Sequence, residues 1–281
     1  MRDPEAWAGL DRATRNAAYD NNAAVPDAAR WKDAWQAASA EWRRARPAGL
    51  DLAYGPAERN RWDLFPAAAR GAPCLVFIHG GYWQRNRRED FACMAQGAAA
   101  HGWSAAILGY SLAPQATLTE IVAETHAALD WLKADGAGHG IAGPLILSGW
   151  SAGAHLTVAA LDHPAVAAGL AISGVYDLDP IRDTGLNDAL SLSDAEVMAL
   201  SPLRLPPTPK PLVIAYGAHE LPRLVDDSCD LHARRLAVQA PGALLAIPGA
   251  NHFSILDHLQ RQSGALVEAL VELHRSSGGG R

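Results

Sequence analysis

The sequence predicts an α/β protein with a mostly parallel central sheet and helices on both faces. Three observations predict it. Short, continuous apolar runs recur along the chain, stretches of helical periodicity fall between them, and the chemically suggestive residues gather where the runs end. The first 48 residues form an N-terminal helical segment rich in Ala, Arg and Trp. In "DAARWKDAWQAASAEWRRA", Trp31, Trp35 and Trp42 fall near one helical face, which suits packing on the main domain, a lid over a pocket being the other use. The α/β domain spans residues 49–275. It opens with "LDLAY" (50–54) and "RWDLFP" (61–66), read as a β-hairpin pair. Strand and helix then alternate: "PCLVFIH" (73–79), a helix over about 88–101, "WSAAILGY" (103–110), a helix over about 117–134, and "PLILSG" (144–149). A helix from about 152 and "VAAGLAISG" (166–174) follow. After them come "KPLVIAYG" (210–217), a helix over about 224–239, "ALLAIPG" (243–249) and a closing helix over about 254–274. Residues 175–209 break the alternation as a long, cap-like insertion able to roof a site. Residues 276–281, "SSGGGR", read as a disordered tail. "GAGHGIAG" (136–143) follows a helix and precedes a strand, the wrong order for a phosphate cradle, so it reads as a connecting loop.

Composition narrows the function. Apolar residues make up 49% of the 281 and charged residues 19%, enough for a substantial core. The net charge of −6 is spread along the chain, and no Lys/Arg block suits a phosphate backbone, so nucleic acid is not an expected partner. Three widely spaced cysteines, Cys74, Cys93 and Cys229, form no CxxC pair and no disulfide framework, which fits a reducing cytoplasm. The charged, proline-broken start does not read as a signal peptide, and no apolar run reaches the roughly 20 residues of a membrane span. No HExxH and no Cys/His cluster is present, so neither metal nor other cofactor is expected. A small-molecule substrate is the expected partner, and a homodimer is compatible with the sequence.

The chemistry centres on "LILSGWSAGAHL" (145–156). Gly149-Trp150-Ser151-Ala152-Gly153 is a G-x-S-x-G at a strand-to-helix junction, where the turn is so tight that small residues must flank the serine. Ser151 is the expected nucleophile. A serine hydroxyl needs a base, and His252 in "PGANHF" (248–253) follows the last strand, where such a base belongs. The base needs a carboxylate to fix its tautomer. Glu220 in "VIAYGAHELPRLVDDS" (213–228) comes three residues after Gly217, with Asp226 and Asp227 as alternatives. Charge developing on the substrate oxygen calls for N–H donors. Ala152 supplies one, and Gly80 and Gly81 in "FIHGGYWQ" (77–84) let backbone approach an oxyanion. His79 is then a loop organiser, while Tyr82, Trp83 and Trp150 would line the substrate side.

"HGGYW", "GWSAGAHL", "SGVYDLDPI" with a downstream "LSP", and "ANHFSIL" resemble the α/β-hydrolase superfamily, and within it the serine-dependent kynurenine formamidases and related esterases. "YDNNAAVPDAARWKDAW" is similar to that family's leader segment, so the resemblance covers nearly the whole chain. It implies the α/β-hydrolase fold and hydrolysis of N-formyl-L-kynurenine to kynurenine and formate in tryptophan breakdown. The family usually has Asp as the triad acid, whereas this chain has "AHELP". Tyr176, Asn187, Arg85, Arg87 and Arg88 are candidates for the amino-acid end of that substrate. Two rival readings are a carboxylesterase with the same triad and a non-catalytic ligand-binding relative.

Overall fold

The computed structural model describes residues 4–278. Eight strands form one sheet: β1 (Leu52–Ala53), β2 (Arg61–Phe65), β3 (Cys74–Ile78), β4 (Ser104–Leu108), β5 (Leu145–Trp150), β6 (Val166–Ile172), β7 (Leu212–Gly217) and β8 (Gly242–Ile247). Their order is β1-β2-β4-β3-β5-β6-β7-β8. β1 and β2 pair antiparallel, as does β2 with β4, and every pair from β4 to β8 is parallel. Every residue of β3, β4 and β5 is buried, which is why they read as unbroken apolar runs. Alternate residues feed two cores: Cys74, Val76 and Ile78 face one layer, Leu75 and Phe77 the other. The chain leaves β3 for β4 on one side and returns to β5 on the other. A crevice therefore opens at the carboxyl ends of β3 and β5.

The helices follow their local signals. Leu118–Asp135 starts on a capping box in which Thr117 and Glu120 satisfy each other's backbone N–H groups. The helix expected over 88–101 begins as a 3-10 stretch, Arg88–Met94, before Ala95–Ala100 turns α-helical. Three residues per turn brings Phe91 and Met94 onto one buried side. The closing helix is interrupted, running Asp257–Gln260 and then Ala265–Ser276. Between them Gly264 passes so close to the His258 carbonyl that a Cβ would sit 2.1 Å from its oxygen. Of the expected tail, Ser276 ends this helix, Ser277 and Gly278 form a turn, and 279–281 lie outside the described residues.

The N-terminal segment is four helices, Pro4–Ala8, Arg12–Ala17, Asn21–Ala24 and Ala28–Arg44. Trp35 is buried against Trp150, Phe91 and Phe253, with ring centroids 5.4, 5.6 and 6.1 Å away, and Trp42 rests on Phe65. Residues 175–209 contain three short α-helices, Asp179–Arg182, Asn187–Leu190 and Asp194–Leu200, and a 3-10 turn, Pro202–Arg204. Their start is pinned by Asp227, which accepts from the N–H groups of Tyr176 and Asp177, and their end by His155, whose Nε2 lies 2.7 Å from the Leu200 carbonyl oxygen. Cys74 and Cys93 are buried and Cys229 is half-buried, none of them in a disulfide. No helix among the described residues is long and apolar enough to cross a membrane.

Candidate active site

β5 ends at Trp150, and the helix Ala152–Ala159 begins two residues later, leaving Ser151 alone to turn the chain. Ser151 takes φ 58° and ψ −119°, a sparsely populated conformation that costs on the order of 1–3 kcal/mol. The flanking glycines make the turn possible. A Cβ on Gly149 would lie 2.1 Å from the Gly153 carbonyl oxygen, and one on Gly153 would lie 2.1 Å from that of Ile78. The elbow thus packs against the end of β3, with Ser151 at the N-terminus of a helix, where negative charge is favoured.

His252 lies on the loop after β8, and its Nδ1 is 2.9 Å from Glu220 Oε2. Glu220 comes just after β7 and is fully buried. Its Oε1 accepts from Ser173 Oγ at 2.5 Å and from the Gly217 N–H at 2.6 Å. With the carboxylate accepting throughout, Nδ1 carries the imidazole proton and Nε2 is left as the basic nitrogen. Asp226 is exposed, and Asp227 is occupied with the backbone of 176–177, so Glu220 is the acid that meets the histidine. Trp150 joins the two halves: its Nε1–H donates to the His252 carbonyl at 2.7 Å, and its ring lies 4.9 Å from the imidazole.

The loop after β3 supplies the facing wall. A Cβ on Gly80 would lie 2.7 Å from the Trp150 oxygen and 2.8 Å from Ser151 Cβ, so only glycine fits against the elbow. The Gly80 carbonyl accepts from His79 Nδ1 at 2.8 Å and from Asn86 Nδ2 at 3.0 Å. In a trans peptide the C=O and the following N–H point opposite ways, so these two donors turn the Gly81 N–H outward. Among the hydrogen bonds of the described residues, neither the Gly81 N–H nor the Ala152 N–H has an acceptor. His79 is buried and stacked on Tyr110 at 4.4 Å. Burial pushes its pKa down to about 3, which leaves it a neutral loop support. Tyr82 and Trp83 follow in left-handed backbone, φ 51° and 57°. They are held by the Tyr82 hydroxyl, which donates to the Tyr19 carbonyl and accepts from Asn21 Nδ2, and by the Ala113 N–H, which donates to the Trp83 carbonyl.

Ser151, His252, Gly81, Tyr82 and Trp150 open together onto a recess of about 70 Å³, with Arg85 and Lys32 at its rim. A larger recess of about 250 Å³ adjoins it through Asn22, Tyr82 and Arg85, which line both. Three predicted substrate residues lie elsewhere. Trp83 has no exposed surface and packs edge-on against His155 at 5.0 Å, so it braces the loop from behind. Tyr176 is fully buried at the start of the insertion. Asn187 uses its Oδ1 to accept the Leu192 N–H at 2.8 Å, closing a turn within the insertion. Arg87 pairs with Asp90, and Arg88 is buried against Asp63, so of the three arginines only Arg85 reaches the recess. The insertion contributes Thr184, Gly185 and Leu186 to the larger recess and none of the lining around Ser151. Ser173 and Asn86, which orient the acid and the loop, were missed in the sequence. Ser173 sits at a strand end within "SGVYDLDPI", a positional signal, whereas nothing marks Asn86. Among the described residues no three His, Cys, Asp or Glu side chains converge as metal ligands would.

A doubled-back parallel sheet with this elbow at its switch point is the α/β-hydrolase fold, and the chain is a hydrolase of that class. Its relatives within the class are more specific. Residues 63–164 match the model of the BD-FAE family. The chain is 26% identical over 241 residues to the kynurenine formamidase of Salmo salar, and 24% identical over 243 residues to that of Danio rerio. Each alignment covers 80% of this chain and 81% of the relative. A candidate thioesterase from a Silicibacter species superposes on 91% of the chain and 98% of its own, with a TM-score of 0.81 and 27% identity. Esterase B from Lactobacillus rhamnosis covers 92% and 96%, with a TM-score of 0.68 and 18% identity.

Proposed function

We propose that the chain is a serine hydrolase that cleaves N-formyl-L-kynurenine to L-kynurenine and formate through an acyl-enzyme. The observation that carries the mechanism is His252, paired with the buried Glu220, opening on the same recess as Ser151. Ser151 Oγ attacks the formyl carbon while His252 Nε2 takes its proton. The oxyanion rests on the N–H groups of Gly81 and Ala152, with Gly80 giving them room to approach. Collapse breaks the C–N bond, and His252 returns the proton to the departing aryl amine. Water then attacks the formyl-enzyme by the same route and releases formate. The tightness of the recess at Ser151 supports a formyl group as the acyl part, and the similarity to two kynurenine formamidases supports the leaving group. Carboxylester hydrolysis by the same triad is the second reading; the likeness to the candidate thioesterase supports acyl transfer from a leaving group other than an amine. Three unpaired thiols support a reducing, cytoplasmic setting, which would suit tryptophan breakdown.

Initial rates on N-formyl-L-kynurenine and p-nitrophenyl acetate test this with wild type, Ser151→Ala and Glu220→Gln. The expected kcat/KM on the formamide is roughly 10⁴ M⁻¹s⁻¹ or more. Ser151→Ala should abolish it, and Glu220→Gln should lower it roughly 10²- to 10⁴-fold by spoiling the imidazole tautomer. Turnover of the acetate alone, still dependent on Ser151, would replace the formamidase reading with the esterase one.

A further inference from the structure

The recess at Ser151 is the smaller of two that meet at Asn22, Tyr82 and Arg85. The adjoining recess is more than three times larger and is walled by Asn16, Tyr19, Asp20, Gln84, Arg85 and Leu186. Its walls come from the N-terminal segment, the loop after β3 and the insertion, so no strand contributes to it. The charged residues around it are mostly paired: Arg12 with Asp188, Arg15 with Asp183, and Arg87 with Asp90. Arg85 and Asp20 are the exceptions. Both are exposed and both line the recess, yet among the described residues neither has an ion-pair partner. Asp20 Oδ1 caps the helix Asn21–Ala24 through the Ala23 N–H, which fixes the carboxylate in place. Lys32, the other nearby cation, is engaged with Asn22 Oδ1 at 3.0 Å and lies over the Phe253 ring.

We infer that this second recess is a zwitterion subsite: Arg85 receives the α-carboxylate of the leaving group and Asp20 its α-ammonium. Two opposite, unpaired charges facing one polar recess match a free α-amino acid and disfavour a neutral leaving group. Tyr82 lines both recesses, with its hydroxyl tied to the N-terminal segment. The inference rests on the formamidase reading, because it assigns the part of the substrate that an acetate ester lacks.

The test compares N-formyl-L-kynurenine with formanilide, an aryl formamide without the amino-acid arm, in wild type, Arg85→Met, Asp20→Asn and Lys32→Met. The ratio of the two kcat/KM values should fall about tenfold or more in Arg85→Met and less steeply in Asp20→Asn, mainly through KM. An unchanged ratio in both, or a fall confined to Lys32→Met, overturns the subsite while leaving the formamidase reading intact. Wild type inactive on formylkynurenine defeats that reading instead. The subsite then stands or falls on whether L-kynurenine inhibits p-nitrophenyl acetate hydrolysis, and does so more weakly in Arg85→Met.

Discussion

Asn86 does for the oxyanion loop what Ser173 does for the acid. Each spends one hydrogen bond on fixing a group that itself faces the reaction. The Asn86 side-chain amide holds the Gly80 carbonyl, and the Asn86 backbone carbonyl accepts from Arg59 Nη2 at 2.5 Å, so the loop is tied back to the residues before β2. Asn86→Ala leaves His79 as the only donor to that carbonyl and lets the Gly81 N–H swing. The expected result is a fall in kcat of roughly ten- to a hundredfold with KM little changed, since the donor acts on charge present only in the transition state. A rise in KM alone at constant kcat would show that Asn86 shapes substrate binding instead. At this scale the sequence singles out residues where chemistry demands a residue type at a fixed position: Ser151, His252 and the glycines around them. It was silent where any amide or hydroxyl at the right distance would serve, which is why Asn86 and Ser173 escaped notice. It also misled at Trp83 and Tyr176, because an aromatic beside a motif looks the same whether its ring faces the recess or the core.

Among the elements, the helix after Ser151 carries more than its dipole. His155, one turn beyond Ser151, packs on Trp83 of the oxyanion loop and reaches the Leu200 carbonyl at the end of the insertion. Burial lowers its pKa from 6.5 to about 4, and that of His79 to about 3, so both stay neutral in the fold under mildly acidic conditions. The unfolded chain protonates them first as pH drops below about 6.5 and therefore binds more protons. Stability is complete above that pH and is lost on acidification, by up to about 1.4 kcal/mol per pH unit for each histidine. His155→Gln keeps a donor for Leu200 but does not titrate, so chemical denaturation between pH 6.5 and 4 should show a shallower loss than wild type. Equal slopes would mean that His155 is protonated in the native state. Element positions were readable from the apolar runs because parallel strands buried on both faces must be continuous. The 3-10 stretch at Arg88–Met94 and the break before Ala265 were not, since they answer to contacts with distant chain rather than to local periodicity.

For the molecule as a whole, Trp35 is where the N-terminal segment is fastened to the catalytic frame. It touches Trp150, which holds His252, and Phe253, which follows it. Trp35→Ala should destabilise the fold by about 3–5 kcal/mol through the cavity it leaves. It should also lower kcat at temperatures where the protein remains folded, because Trp150 loses the neighbour that fixes its ring. Thermal melts paired with rates at 25 °C separate the two effects, and a melt shift with no change in kcat would confine Trp35 to stability. The division of labour across the fold has a consequence over evolutionary time. Ser151, Glu220 and His252 follow strand ends, whereas the walls of the second recess come from residues 16–22, 82–85 and 184–186, outside the sheet. A lineage could acquire a new substrate by drifting in those three stretches alone. Descendants of one ancestral hydrolase could then diverge in diet while inheriting the same nucleophile.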